Sequence, residues 1–149
     1  IDRAHNVIMG PNFQIADVEA TERLKLEGGA INFTAFVMPK TDKPSFRLGN
    51  LSFFDSLQEL FVSKDIKFEN HPEFENHYFL TSDDEVATRQ LFSSEVLEFL
   101  EIHREYKIEV NDQFILIFKE QRILSVQEIN ELIDFSSALL KLFAVNLKK

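Results

Sequence analysis

The sequence has no cysteine, no tryptophan and only four glycines among its 149 residues. Without cysteine there is no thiol nucleophile, no zinc ribbon and no disulfide framework, so packing alone must stabilise the fold. No two glycines have the spacing of a phosphate-binding loop, in which backbone N–H groups approach the anion. The motifs G-x-S-x-G, S-x-x-K and H-E-x-x-H are absent as well. We therefore expect no enzyme of the common nucleotide-binding, serine-hydrolase or zinc-protease kinds, and no cofactor.

An excess of basic residues is also lacking, because the net charge is −9. Residues 1–50 carry six acids and six bases, and so do residues 106–149, so the whole excess lies between them. Such a surface repels the phosphate backbone, and nucleic acid is therefore disfavoured as a partner. The acidic middle is interpreted either as a solvated face or as a surface that attracts a basic partner. Its acids are Asp55, Glu59, Asp65, Glu69, Glu73, Glu75, Asp83, Asp84, Glu85, Glu95, Glu98, Glu101 and Glu105.

No apolar run approaches the ~20 residues that a membrane-spanning helix requires. The length fits one domain, residues 1–149, and the start at Ile1 instead of Met predicts a fragment of a longer chain. Sixteen phenylalanines are the most unusual feature of the composition. They are interpreted either as core filler or as the lining of a cavity.

The first third of the chain reads as strands joined by tight turns. Strands are predicted over 7–9 and 13–18, separated by Gly10-Pro11, and over 30–38 after a Gly28-Gly29 turn. In the third strand, residues 31, 33, 35 and 37 form one fully apolar face. An exposed linker between Pro39 and Pro44 leads to a short strand over 45–48.

From Ser52 onward, helices with N-terminal caps dominate the pattern. Ser52 with Asp55, Ser82 with Glu85, and Ser125 with Glu128 have the spacing of a helix N-cap. The predicted helices cover 53–62, 83–91 and 125–146, and another runs from Ser93 or Ser94 to His103. Strands are predicted over 65–69 and 77–81, and a hairpin over 106–120 turns at Asn111-Asp112.

The second strand of the hairpin and the last helix are both predicted to be apolar on more than one face. In the helix, Phe135, Ala138 and Leu142 broaden the main apolar stripe. These three residues pack inside the domain or contact a partner, either another protein or a second copy. The whole pattern predicts an α+β fold, with an antiparallel sheet, helices packed mainly on one face and a long C-terminal helix.

One local cluster has the residue types of a metal site. In an extended segment His71, Glu73, Glu75 and His77 would project to one face, within reach of one divalent cation. Against this, Pro72 interrupts a strand, and surface turns are rich in polar residues. The cluster is therefore either a metal site or a surface turn.

A series of short motifs supports a family resemblance. They are Asn6-Val7-Ile8-x-Gly10, Asp65-Ile66-Lys67-Phe68, Glu73-Phe74, Tyr78-Phe79-Leu80, Asp84-Glu85, Leu91-Phe92, Ile108-Glu109 and the strand Phe114 to Phe118. With them the chain resembles, from about Asn6 to Leu140, an uncharacterised family of bacterial proteins with short hydrophobic anchors before a soluble domain. The resemblance is weak over residues 19–45. It implies a soluble domain tethered to a bacterial membrane and facing the cytoplasm, and no activity.

Three functional hypotheses follow. The first is a non-enzymatic interaction or regulatory module, which uses the acidic middle or the second face of the last helix to contact a protein partner. The second is a small-molecule or lipid binder with a phenylalanine-lined cavity. The third is a metal-dependent hydrolase at His71 and His77.

Overall fold

The computed structural model describes residues 3–20, 31–40, 42–50, 65–120 and 122–147. Within these ranges the chain forms one seven-stranded sheet and four helices. The strands are β1 (Arg3–Met9), β2 (Gln14–Ala20), β3 (Ile31–Pro39), β4 (Phe46–Gly49), β5 (Phe79–Ser82), β6 (Lys107–Val110) and β7 (Phe114–Phe118). The helices are α1 (Pro72–His77), α2 (Glu85–Leu91), α3 (Ser94–Ile102) and α4 (Val126–Leu147).

The sheet is antiparallel throughout, with the strand order β1-β2-β3-β7-β6-β4-β5. The larger apolar cluster lies on its helix side, where residues such as Phe74, Leu97 and Leu132 pack against Phe36 and Ile117. In the described residues, α4 contacts β3 and β7 at the centre of the sheet, and α2 contacts β5 at its edge. The predicted α+β fold, an antiparallel sheet with helices on one face and a long C-terminal helix, is confirmed.

The neighbouring strands β3 and β7, near the centre of the sheet, are buried on both faces. Phe33 and Leu116 belong to a second, smaller cluster on the opposite face, and the described members of that cluster all come from strands. Phe36 and Ile117 face the helix-side cluster. The burial of β7 on both faces was predicted. For β3 the alternation of the sequence predicted one apolar face, and the structure buries the other face as well.

The capping predictions are right at one end of the helical region and wrong at the other. At α4 the Ser125 hydroxyl accepts a hydrogen bond from the N–H of Glu128 at 3.3 Å, and the Glu128 carboxylate accepts one from the N–H of Ser125 at 3.2 Å. At α2 the cap is Asp84, which accepts from the N–H of Ala87 at 3.0 Å. Ser82 instead ends β5, and its hydroxyl accepts from the N–H of Asp84 at 3.0 Å.

Two other predictions need correction. Residues 65–68 do not join the sheet as a strand: they run alongside β5, with the N–H of Ile66 donating to the carbonyl of Leu80 at 2.8 Å. The linker after Pro39 is not wholly exposed either, because Lys43 is buried. The predicted turn at Gly28-Gly29, the predicted cap at Ser52 and the predicted helix over 53–62 lie outside the described residues.

Candidate functional site

Four strand ends and two turns meet at one end of the sheet. β1 ends at Met9 and β3 ends at Pro39, while β2 begins at Gln14 and β7 at Phe114. Because neighbouring strands are antiparallel, these four ends coincide. They enclose a groove of about 690 Å³. Its lining residues are Met9, Gly10, Pro11, Asn12, Phe13, Gln14, Val37, Met38, Pro39, Gln113 and Phe114.

The turn between β1 and β2 is built around a close approach of a ring to the backbone. The N–H of Gly10 donates to the carbonyl of Phe13 at 2.8 Å. A Cβ at residue 10 would lie 2.4 Å from Cζ of Phe13, so any side chain there would displace the ring. The ring of Phe13 also stacks on Phe36, with centroids 4.6 Å apart. Gly10 therefore allows Phe13 to lie flat between the groove and the core.

The turn between β6 and β7 fixes the opposite wall. The side-chain oxygen of Asn111 accepts hydrogen bonds from the N–H groups of Gln113 and Phe114, at 2.8 and 2.9 Å. The N–H of Lys40 donates to the carbonyl of Gln113 at 3.0 Å and extends the pairing of β3 with β7 beyond the strand ends. Both walls are thus held by backbone hydrogen bonds before any ligand arrives.

None of the eleven described residues that line the groove has an ionisable side chain. Its polar groups are the neutral amides of Asn12, Gln14 and Gln113, and the rest of its lining is apolar or glycine. This composition contrasts with the whole chain, in which 28% of the residues are charged. The described lining residues therefore include no side chain suited to general acid–base chemistry. The surface is suited to holding an uncharged apolar group.

A second, polar cleft of about 430 Å³ lies over β4, β5 and β6. Arg47 pairs directly opposite Glu109 in the sheet, with Nε and Oε1 3.3 Å apart. Nearby, the Lys40 ammonium donates to the Ser45 hydroxyl at 2.8 Å.

A third cleft of about 510 Å³ lies before α3 and contains three basic residues. Lys67 lies 2.8 Å from the carboxylate of Asp65, and Arg89 lies 3.0 Å from that of Glu85. The Nδ1 atom of His71 lies 3.0 Å from Oε1 of Glu101. Each of these three basic side chains is therefore paired with an acid of the same domain.

The structure separates the four predicted metal ligands. Pro72 begins α1, because proline suits the first turn of a helix, so the segment is helical and not extended. His71 faces Glu101 of α3, whereas Glu75 accepts the N–H of Phe68 at 2.7 Å. Glu73 and His77 lie 3.9 Å apart on an exposed side of α1. Within the described ranges, no group of three or more metal-ligating side chains converges.

The predicted interaction residues of the last helix lie largely inside the domain. Phe135 is 4% exposed, and its ring stacks on Tyr106 at 3.8 Å and on Phe99 at 5.3 Å. A partner cannot reach that ring without opening the core, so Phe135 is corrected from a candidate contact to a core residue. Ala138 and Leu142 are half-buried, and Leu142 packs against the helix-side cluster.

Burial also affects the two tyrosines of the helix-side cluster, Tyr78 and Tyr106. Desolvation raises the pKa of Tyr106 to about 12. Desolvation likewise raises the pKa of Tyr78, whose hydroxyl donates to the carbonyl of His103 at 2.7 Å. Neither tyrosine hydroxyl is poised to act as an acid or a base near neutral pH.

Sequence reasoning did not identify the groove. A signal for it is present in the run Val7-Ile8-Met9 and in Phe13, which place apolar side chains on both sides of a Gly10-Pro11 turn. The other wall comes from residues 37–39 and 113–114, which are distant in the chain. Their meeting depends on the pairing of β3 with β7, and no local pattern encodes that pairing.

None of the helices in the described ranges combines the length and the apolar composition needed to cross a bilayer. Comparisons with models of known families, with curated proteins and with solved structures found no match to this chain.

Proposed function

We propose that this chain is a non-enzymatic protein-interaction module whose groove binds an uncharged, apolar segment of a partner protein. The observation that carries the proposal is the absence of any ionisable residue among the eleven that line the groove. A charged occupant would lose its hydration there and would meet no opposite charge. An apolar side chain has no such hydration to lose and needs no opposite charge.

The energetics favour a short apolar segment. Burial of apolar surface stabilises a complex by roughly 25 cal/mol per Å², so two or three bulky side chains suffice for a moderate affinity. The amides of Asn12, Gln14 and Gln113 can donate and accept hydrogen bonds. They match the N–H and carbonyl groups of a peptide backbone, which a lipid tail does not have.

The rigidity of the groove also supports binding. Phe13 is held by Gly10 and Phe36, and Phe114 by Asn111, so an occupant need not order these walls on arrival. Binding sites that are formed in advance lose less conformational entropy when they are filled.

A small apolar molecule or a lipid is the second candidate. The groove volume of about 690 Å³ lies within the range of ~300–1,000 Å³ that is usual for small-ligand sites. Phe13 and Phe114 are the two phenylalanines that line it. Other rings, such as Phe46, Phe92 and Phe143, pack against one another in the core.

A charge placed in the groove separates these two candidates. Gln14 is exposed and lines the groove, so Gln14→Lys adds a cation with little risk to the fold. We expect this variant to bind end-capped, uncharged apolar peptides, selected on the wild-type protein from a displayed library, about tenfold more weakly. Palmitate, whose carboxylate the new cation would attract, would instead bind the variant more tightly.

The matched control is Gln90→Lys, which adds the same charge at an exposed position of α2 outside the groove. Isothermal titration calorimetry of the selected peptides against all three proteins measures the affinities. Equal peptide affinity for the wild type and Gln14→Lys would refute the groove as the binding site. Palmitate binding without any peptide binding would replace the first candidate by the second.

We also propose that the module is held at a bacterial membrane, on the cytoplasmic side. The support is the family resemblance, whose members carry a hydrophobic anchor ahead of a soluble domain. Fractionation of cells that express the native protein tests this: recovery only in the supernatant, without carbonate or detergent, would contradict a tether.

A further inference from the structure

Both sulfur atoms of the chain lie in side chains that line the groove. The sequence has no cysteine and two methionines, Met9 and Met38. Met9 ends β1 and Met38 lies in β3, and both are among the residues that line the groove. Thiols and thioethers are the side chains that peroxides convert to sulfur oxides. Sulfur oxidation of this chain is therefore confined to the surface that we propose for binding.

The two methionines differ in their access to solvent. Met9 is 69% exposed. Met38 is half-buried and packs against the helix-side cluster. An oxidant dissolved in water must reach the sulfur before it can react, so we expect Met9 to be oxidised before Met38.

The oxidation of Met9 by hydrogen peroxide is an oxygen transfer. A lone pair of the sulfur attacks one peroxide oxygen, so that the O–O bond breaks and an S–O bond forms. The leaving oxygen takes the proton of the transferred hydroxyl group and departs as water. The sulfur loses two electrons and the peroxide gains them, so the reaction needs no other reactant. The product is a sulfoxide, which is uncharged but polar.

A sulfoxide at residue 9 makes the groove less suited to an apolar occupant. Met9 pairs with Gln14 across β1 and β2, and both residues line the groove. Side chains of directly paired residues lie on the same face of a sheet, with Cβ atoms about 5 Å apart. The Gln14 amide can therefore donate to the sulfoxide oxygen and is then lost to the backbone of a bound segment. An apolar side chain placed against the S–O group displaces its water and offers no hydrogen bond in return.

We propose that Met9 is a reversible oxidation site that regulates the groove: the thioether form binds an apolar segment, and the sulfoxide form releases it. The inference rests on the proposed function, because it takes the groove as the binding site. Methionine sulfoxide reductases reverse the oxidation with a dithiol as the reductant. The two thiols become a disulfide, and the oxygen of the sulfoxide leaves as water.

Peptide mapping by mass spectrometry during treatment with hydrogen peroxide tests the site. We expect the fragment that contains Met9 to gain one oxygen atom well before the fragment that contains Met38. Calorimetry then measures the binding of the uncharged apolar peptides that were selected on the untreated wild type. The oxidised protein should bind them about tenfold more weakly. Treatment with reductases for both sulfoxide epimers should restore the affinity.

Two leucine variants assign the effect to one sulfur. Leucine is close to methionine in volume and has no sulfur atom to oxidise. The affinity of each variant after oxidation is compared with that of the same variant before oxidation. Met9→Leu should lose the response to peroxide, whereas the matched control Met38→Leu should keep it. Circular dichroism shows whether each protein is folded before and after treatment.

The outcomes separate this proposal from the proposed function. A reduced wild type that binds no apolar peptide would contradict both. A reduced protein that binds, together with an oxidised protein that binds as tightly, would leave the groove in place and refute the regulation. Oxidation of Met38 as fast as Met9, or a response to peroxide that persists in Met9→Leu, would overturn the assignment to Met9.

Discussion

Tyr78 and Tyr106 are the two tyrosines of the chain, which has no tryptophan. Both are buried on the helix side of the sheet. Tyr106 stacks against Phe135, and desolvation raises its pKa to about 12, whereas an unfolded tyrosine ionises near ~10. Between these two values the folded state holds a proton that the unfolded state has lost.

The alkaline stability of the protein follows from this difference. Because the folded-state pKa of Tyr106 is raised, Tyr106 contributes to the free energy of unfolding. This contribution is fully present below pH ~10 and is lost as the pH rises toward about 12. Tyr106→Phe keeps the stacked ring and removes the ionisation, so its stability should decline less over that interval. Urea unfolding at a series of alkaline pH values measures the effect. A parallel decline in both proteins would contradict the assignment to Tyr106.

Gly10 is the second residue whose change has a defined consequence. In Gly10→Ala the new methyl group would overlap the ring of Phe13, which must leave its place against Phe36. We expect a loss of about 1–3 kcal/mol in the free energy of unfolding, the usual effect of overpacking. The control Asn12→Ala changes an exposed residue of the same turn and should have little effect. Equal stability of the two variants in urea would show that the Phe13 ring relaxes freely.

At the scale of the elements, the cap of α2 is the feature to test. Asp84 accepts the N–H of Ala87, whereas the sequence pattern assigned the cap to Ser82. Asp84→Ala should cost about 1 kcal/mol, and Asp84→Asn, which keeps a capping oxygen, much less. Thermal unfolding of the two variants compares them. Equal losses in both would mean that the charge of Asp84, and not its hydrogen bond, stabilises α2.

The elements that could be predicted are those defined by hydrogen bonds between neighbouring residues. The hairpin at Asn111 and the capping box at Ser125 were predicted correctly, because neighbouring residues make the hydrogen bonds that define them. The stretch from His71 to His77 was misread because Pro72 was taken as a strand breaker and not as the first residue of a helix. The groove could not be predicted, since its walls come from strands far apart in the chain.

At the scale of the whole molecule, the two apolar clusters share their strands. β7 sends Leu116 to the smaller cluster and Ile117 to the helix-side cluster. We therefore expect one cooperative unfolding transition. Leu116→Ala should lower the free energy of unfolding by about 2–5 kcal/mol. The unfolding transition seen by tyrosine fluorescence should shift as far as the one seen by far-ultraviolet circular dichroism. A tyrosine signal unmoved by Leu116→Ala would mean that the two sides unfold separately.

The excess acids are concentrated in residues 65–105, which carry eleven acids against Lys67, Arg89 and Arg104 and which include β5 at one edge of the described sheet. β1, at the opposite edge of that sheet, contains no acidic residue. A strongly anionic surface would repel the β5 edge more than the β1 edge, so the molecule would approach such a surface with the β5 edge turned away.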